Sequence, residues 1–304
     1  MLAFRTALAA SLAVLLTVSV ASAAAPHPKP KPDAKPEPGT TAVDEHAVFV
    51  AMVLLPKPLE PSSDDVLAAY QRVAPKGPEL AVAPSPDANG PAMYALGRAT
   101  VTVELVPAPV ADDKADAAAA ASLHGFLKDW RPETHRAHLV VSLAPDPKRP
   151  RRMAYIDFLH ATAAVASAAH AGGVYLVGGG LTNPSGFFID AVSQDPPLVV
   201  GYTGIQRVYE RDPAADPKTP PTRFGLLSRG MTELGLPDLY FTAPLEKASD
   251  GLEYFLDLLS YMVSLGKAPP DGDTVGRSDD EKLPVRYEAS PADTSVKVWR
   301  VDLP

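Results

Sequence analysis

Four small groups of residues in this 304-residue chain have the types and spacing to do chemistry. His135 and His138 stand three apart beside the apolar run Leu139-Val140-Val141. Imidazoles can bind a transition metal or move protons near neutral pH. On a strand, however, a separation of three points the two rings to opposite faces. Pro132 and the β-branched run disfavour the helix that would bring them together. Capping and packing are therefore the favoured roles, and a metal site would need a third ligand from elsewhere. Gly178-Gly179-Gly180 follows a strand-like segment, where backbone amides can cradle a phosphate or another ligand. The chain lacks the Lys-Ser/Thr ending of a P-loop and the glycine spacing of a dinucleotide fingerprint. A tight turn is the default there, and no cofactor is implied.

The other two groups are charged. In Asp271-Gly272-Asp273-Thr274-Val275-Gly276, acids fall at the first and third positions of a calcium-loop pattern and glycine at the sixth, with Asp279 at the ninth. Val275 at the fifth position and Lys282 at the twelfth break the pattern, because a bidentate Glu belongs at the end. An acidic turn is favoured, with weak metal binding through Asp271, Asp273 and Asp279 left open. Lys148, Arg149, Arg151 and Arg152 form the one dense basic cluster, at the start of an expected helix where the dipole disfavours cations. A solvated loop is the ordinary reading. The functional one is a docking point for an acidic protein surface or an anionic headgroup. His160 and His170 lie ten residues apart on that helix, too far to converge. No nucleophile elbow or HExxH helix is present, and Ser185 lacks the flanking glycines of a hydrolase elbow. No catalytic residue is assigned.

Composition narrows the setting in which these groups work. Met1 to Ala23 carries one early cation, Arg5, then an Ala-, Leu- and Val-rich run closing on Ala21-Ser22-Ala23, the pattern of a secretory signal peptide. The apolar run is short for an anchor, since a span needs ~20 residues. Contact with the membrane is thus expected to be transient, with an uncleaved anchor as the rival. The expected location is extracytoplasmic, periplasmic or secreted. Residues 24–44 alternate Pro with Lys, Asp and Glu, which favours a semi-stiff extended spacer. The chain has no Cys, so neither disulfides nor thiolate ligands are available. It holds 28 Lys and Arg against 36 Asp and Glu, a balance that argues against nucleic acid as a general partner.

The elements that must position the candidate residues belong to residues 45–304. Val48 to Leu55 reads as a strand buried on both faces, and Pro61-Ser62-Ser63-Asp64-Asp65 opens a helix. Strands are expected over 79–83, 91–96, 101–105, 138–143, 174–177 and 239–242, and hairpins over 198–227 and 283–302. Within the first hairpin, the Pro-rich insert 212–222 would form the tip. Helices are expected from Ala115 to Trp130 and from Met153 to Ala171. A third carries the stripe Leu252, Phe255, Leu256, Leu259, Met262 and Val263, with Asp250 placed as its cap and Gly266 as its end. This order predicts an α+β fold: one domain, with two lobes meeting near residue 205 as the alternative, and a largely antiparallel mixed sheet with packed helices.

A resemblance adds to that reading. Gly230-Met231, Glu233-Leu234-Gly235-Leu236-Pro237-Asp238-Leu239, Asp271-Gly272-Asp273-Thr274-Val275-Gly276 and Glu281-Lys282-Leu283-Pro284-Val285 follow one another around an apolar helix. That series resembles a bacterial family catalogued only as a domain of unknown function. Val106-Pro107-Ala108-Pro109, the segment His135 to Val141 and Gly173-Val174-Tyr175 extend the likeness over 47–301. Ser228 departs from a family preference for Thr, and the 212–222 insert is unusually long. The segment from Ser228 to Val285 also resembles suppressor-of-fused-type domains, whose bacterial members include proteins proposed to neutralise toxins by binding. The leader implies export, in which this chain differs from many cytoplasmic-looking relatives, and the resemblances imply binding rather than catalysis. The expectation is an exported, non-catalytic binding protein with a protein partner in the envelope or exterior, in an envelope or immunity-like role. The alternative is a hydrolase or metal-assisted enzyme with its site near His135 and His138.

Overall fold

A strand with apolar residues on both faces needs cover on both faces, and Phe49–Leu55 (β1) is such a strand. In the computed structural model, which describes residues 47–304 except 86, 88, 89, 211–219 and 279, β1 lies inside a seven-stranded sheet. The expected leader, the Pro-rich spacer, most of the 212–222 insert and Asp279 lie outside the described residues. The other strands of this sheet are Leu80–Ala83 (β2), Ala92–Leu96 (β3), Ala99–Val106 (β4), Ala137–Ala144 (β5), Gly173–Leu176 (β6) and Leu181–Pro184 (β7). Their order is β2-β3-β4-β5-β1-β6-β7, with every pairing antiparallel.

Six helices accompany the strands among the described residues: Ser63–Val73 (α1), Lys114–Ala119 (α2), Leu123–Lys128 (α3), Arg151–Ala168 (α4), Ser185–Val192 (α5) and Ala248–Leu265 (α6). Ser62 caps α1, accepting the Asp65 amide at 3.1 Å. Helix α4 is buried nearly all round, with Ala at its close contacts, and lies between α1, α5 and the sheet. Phe49 of β1 meets Tyr155 and Phe158 of α4 at ring distances of 5.1 and 5.6 Å. On the opposite face, Met52 and Leu54 pack with Val110, Ala115, Ala118 and Tyr175, so α2 and the loop before it form the second cover.

The second sheet holds Gly204–Glu210 (β8), Arg223–Arg229 (β9), Leu239–Pro244 (β10), Thr274–Val275 (β11), Leu283–Ala289 (β12) and Lys297–Asp302 (β13). Its order is β11-β12-β13-β10-β9-β8, antiparallel except for the parallel pair β10–β13. Helix α6 covers one face through Phe241, which meets Tyr254 at 5.6 Å and Phe255 at 6.5 Å. The α+β class and the antiparallel pairing match the sequence expectation, while the strands divide between two sheets.

Local departures have physical causes. The helix expected from Ala115 to Trp130 breaks in two because Ser122 donates to the Ala119 carbonyl at 2.8 Å and accepts the Gly125 amide at 2.9 Å. That side chain caps a new helix, and Gly125 permits the close turn, since a Cβ there would collide with the Ala119 carbonyl. Helix α6 starts at Ala248, so Asp250 lies in its first turn rather than at the cap. Gly266 ends it as expected, at φ 67°. Part of the stretch expected to open the hairpin forms a tight helical turn, Val199–Gly201. Strand β7 and helix α5 arise in a stretch where the sequence pattern marks no helix or strand.

The two sheets meet along a seam. Gly179 of the β6–β7 turn packs on Gly230, where an added Cβ would sit 2.9 Å from the Gly179 Cα. Across the same seam Arg151 pairs with Glu233 at 3.1 Å and lies over the Phe49 ring, 4.7 Å from its centroid. Arg152 reaches from α4 to the carbonyls of Val263 and Ser264 at the C-terminal end of α6. A cation there favours that helix end.

Candidate functional site

The candidate residues do not share one site. His135 accepts the Val110 amide at Nε2, 2.9 Å, and His138 donates its Nδ1–H to the Ala108 carbonyl at 2.8 Å. Both rings are buried and staple the 107–110 segment to β5. Burial holds the His135 pKa below its usual range, and the nearby Asp116 only partly opposes that. Neutral His135 can accept the Val110 amide; protonated, it cannot.

The basic cluster is dispersed by pairing. Arg149 forms a two-point ion pair with buried Asp157, Arg151 serves the seam, and Arg152 serves the end of α6. Lys148 stays exposed, its amide held by Asp146 at 2.9 Å. Asp271 accepts the Tyr287 amide at 2.9 Å, and Asp273 accepts the Thr274 amide at 2.8 Å. Both carboxylates therefore shape an exposed turn, with Gly272 at φ 78°. Among the described residues, no group of three or more His, Asp or Glu is placed to hold a metal ion.

Of the Gly178–Gly180 loop, two residues serve the seam. A Cβ on Gly178 would run into the Glu233 carboxylate, and Gly179 faces Gly230. Gly180, at φ 56°, instead opens onto a cleft of about 540 Å³. One wall is Lys114, the alanines of α2 and the α2–α3 turn, and Phe126 of α3; the other is Ile205 to Arg207 of β8 with Arg229 of β9. Arg207 stacks on the Phe126 ring at 4.1 Å and donates to the Phe126 carbonyl. Lys114 faces Asp112 at 3.4 Å, with both side chains largely exposed. Arg229 is exposed, and its guanidinium lies about 3.5 Å from where a Gly180 side chain would begin. Among the described residues Arg229 forms no ion pair or hydrogen bond through its side chain, although Asp238 feels its charge.

The cleft's cations come from positions 114, 207 and 229, so no cluster marked it. The hints in the sequence were Gly180 in the glycine run and Arg229 immediately before the Gly230-Met231 motif. That motif is itself a turn. Gly230 and Gly235 sit at φ 97° and 74°, and the Asp238 carboxylate accepts the Ser228 hydroxyl at 2.8 Å and the Met231 amide at 3.2 Å. Ser228 in turn accepts the Leu239 amide at 2.8 Å. The later motif is anchored similarly: Glu281 accepts the Tyr254 hydroxyl at 2.8 Å and the Arg277 amide at 2.7 Å.

Fold and cleft together define a two-sheet α+β protein with a cation-rimmed groove beside its seam. Residues 227–302, from the end of β9 through β13, match the family described as Domain of unknown function (DUF4261). The match thus covers the final part of the resemblance read from the sequence and stops short of its earlier segments. No curated protein and no solved structure matches the chain. No helix among the described residues is long and apolar enough to cross a membrane.

Proposed function

We propose that this chain is an exported binding protein that captures a protein partner in the envelope or exterior through the cleft between α2–α3 and β8–β9. The observation that carries the reading is the guanidinium of Arg229, which has no ion pair or hydrogen bond among the described residues, in a groove lined, apart from Lys114, Gln206 and Arg207, mainly by small and apolar residues. Exposed cations ordinarily lie in water on convex surface, whereas a cation lining a concave apolar site supplies orientation and specificity to what enters. The Pro-rich residues 24–44 would act as the spacer, and the suppressor-of-fused likeness favours an immunity-like role over catalysis. The His135/His138 alternative loses support because both rings are committed to backbone partners.

A photo-crosslinking residue placed at Gln206, on the cleft wall, tests this in the producing cells. A discrete partner is expected at that position and not from the exposed Arg98 in the β3–β4 turn. Adding Arg229→Glu should abolish the Gln206 adduct. Identical adducts from both positions, or indifference to Arg229→Glu, would overturn the reading.

A further inference from the structure

We propose that the cleft receives an acidic side chain carried on an apolar segment of the partner, with Arg229 as the anchor of its carboxylate. This rests on the cleft being the recognition surface. The charge contrast is the first argument. The chain carries a net charge of −8, yet every charged residue lining the cleft is a cation: Lys114, Arg207 and Arg229. Low-dielectric walls strengthen the field such cations project into a groove.

The division of labour among the cations is the second. Arg207 is fixed on Phe126, and Lys114 is shared with Asp112. Among the described residues, Arg229 is the cleft cation whose fork of donors has no hydrogen bond or ion pair, and that fork matches a carboxylate with two parallel hydrogen bonds. Gly180 lies beside it: a Cβ there would meet the guanidinium at ordinary contact distance, 3.5 Å, and the φ of 56° favours glycine. Shape is the third. A volume of about 540 Å³ suits a few side chains rather than a folded surface, and Ala117, Ala121, Ile205 and Phe126 offer apolar contact around the anchor. The fitting occupant is one acid flanked by apolar neighbours.

The experiment uses the full chain, labelled for amide resonances, and blocked tetrapeptides with one Glu among Ala, Val, Leu or Phe. Their Gln twins and free glutarate serve as comparison arms. The Glu peptides should shift Gly180, Gln206 and Arg229 saturably. Gln peptides should bind about tenfold or more weakly, since each lost charged hydrogen bond is worth roughly that factor. Arg229→Ala should remove binding, Arg229→Lys should weaken it, and rising salt should reduce it. Equal binding of Gln peptides, or binding indifferent to Arg229→Ala, overturns the proposal. Glutarate binding as tightly as the peptides overturns the partner segment in favour of a free acid. If no peptide binds while the Gln206 adduct still depends on Arg229, the carboxylate inference fails and the cleft reading survives. If peptides bind but no adduct forms in cells, the cleft reading fails instead.

Discussion

Asp238, inside the Glu233-to-Leu239 motif, holds the fold together through hydrogen bonds from its side chain and its backbone. Its carboxylate gathers the Ser228 hydroxyl and the Met231 amide, and its own carbonyl accepts the Trp299 amide at 2.8 Å, tying β9, the glycine turn and β13 together. Burial pushes its pKa up to about 6, although those donors and Arg229 act in the opposite direction. The folded value lies above the unfolded one of ~3.9. Its contribution to stability is therefore full below about pH 4 and is lost as the pH rises through about 6. In Asp238→Asn the side-chain oxygen still accepts both donors, without a charge. Wild type should lose about 2 kcal/mol relative to this variant between pH 4 and 7, measured as urea unfolding free energies. Asp238→Ala leaves the donors unmatched and should cost ~1–3 kcal/mol near pH 4, where the wild-type acid is neutral. A flat difference between wild type and Asp238→Asn across that range would show that the carboxyl titrates as an ordinary surface acid.

At the scale of elements, periodicity carried most of the fold but failed where one polar atom decides. The runs that became β1, β4, β5 and α6 were legible because burial fixes their residue types at a regular period. The break between α2 and α3 was not, because Ser122 looks unremarkable in an Ala-rich stretch until its hydroxyl finds Ala119. Strand β7 was hidden by its brevity and by Asn183-Pro184, which read as turn residues. The arginine cluster misled for another reason: Glu233 and the end of α6 lie 82 to 112 residues away in sequence from the arginines they meet. The Gly178–Gly180 run was legible as a turn but not as a turn that meets another turn. That contact makes a further test. Gly230 adopts φ 97° and faces Gly179, so Gly230→Ala meets both backbone strain and a clash at 2.9 Å. It should destabilise by ~1–3 kcal/mol in urea unfolding. Gly235→Ala, at φ 74° but with open space around it, should cost less. Equal costs would mean the contact between the turns contributes nothing beyond backbone conformation.

The whole molecule depends on whether the two sheets behave as one cooperative body, and the seam gives that question a chemical handle. Arg151 and Glu233 are both largely shielded, at 10% and 21% side-chain exposure, and the pair sits between Phe49 of the first sheet and the motif turn of the second. A shielded pair is weak grounds for net stability, yet removing one partner strands the other charge and costs ~3–5 kcal/mol in fully buried cases. Partial exposure here lowers the expected figure for Arg151→Ala to ~2–3 kcal/mol. Burial already raises the Glu233 pKa, with Arg151 opposing it. Without Arg151 the folded-state value should rise further above the unfolded one. The stability of the variant should then be greatest below about pH 4 and fall as the pH rises through that higher folded value. Glu233→Gln should rescue part of the loss at pH 8 and little at acid pH, the signature of a stranded carboxylate rather than a lost packing contact. The same variant tests cooperativity. In a Trp130→Phe background, buried Trp299 reports the second sheet, while circular dichroism reports both. The two signals should coincide for the parent and separate for Arg151→Ala, because coincident transitions mark all-or-none unfolding and the variant weakens the link between the halves. Coincidence in both proteins would place the coupling elsewhere, with Arg152 at the end of α6 as the next residue to remove.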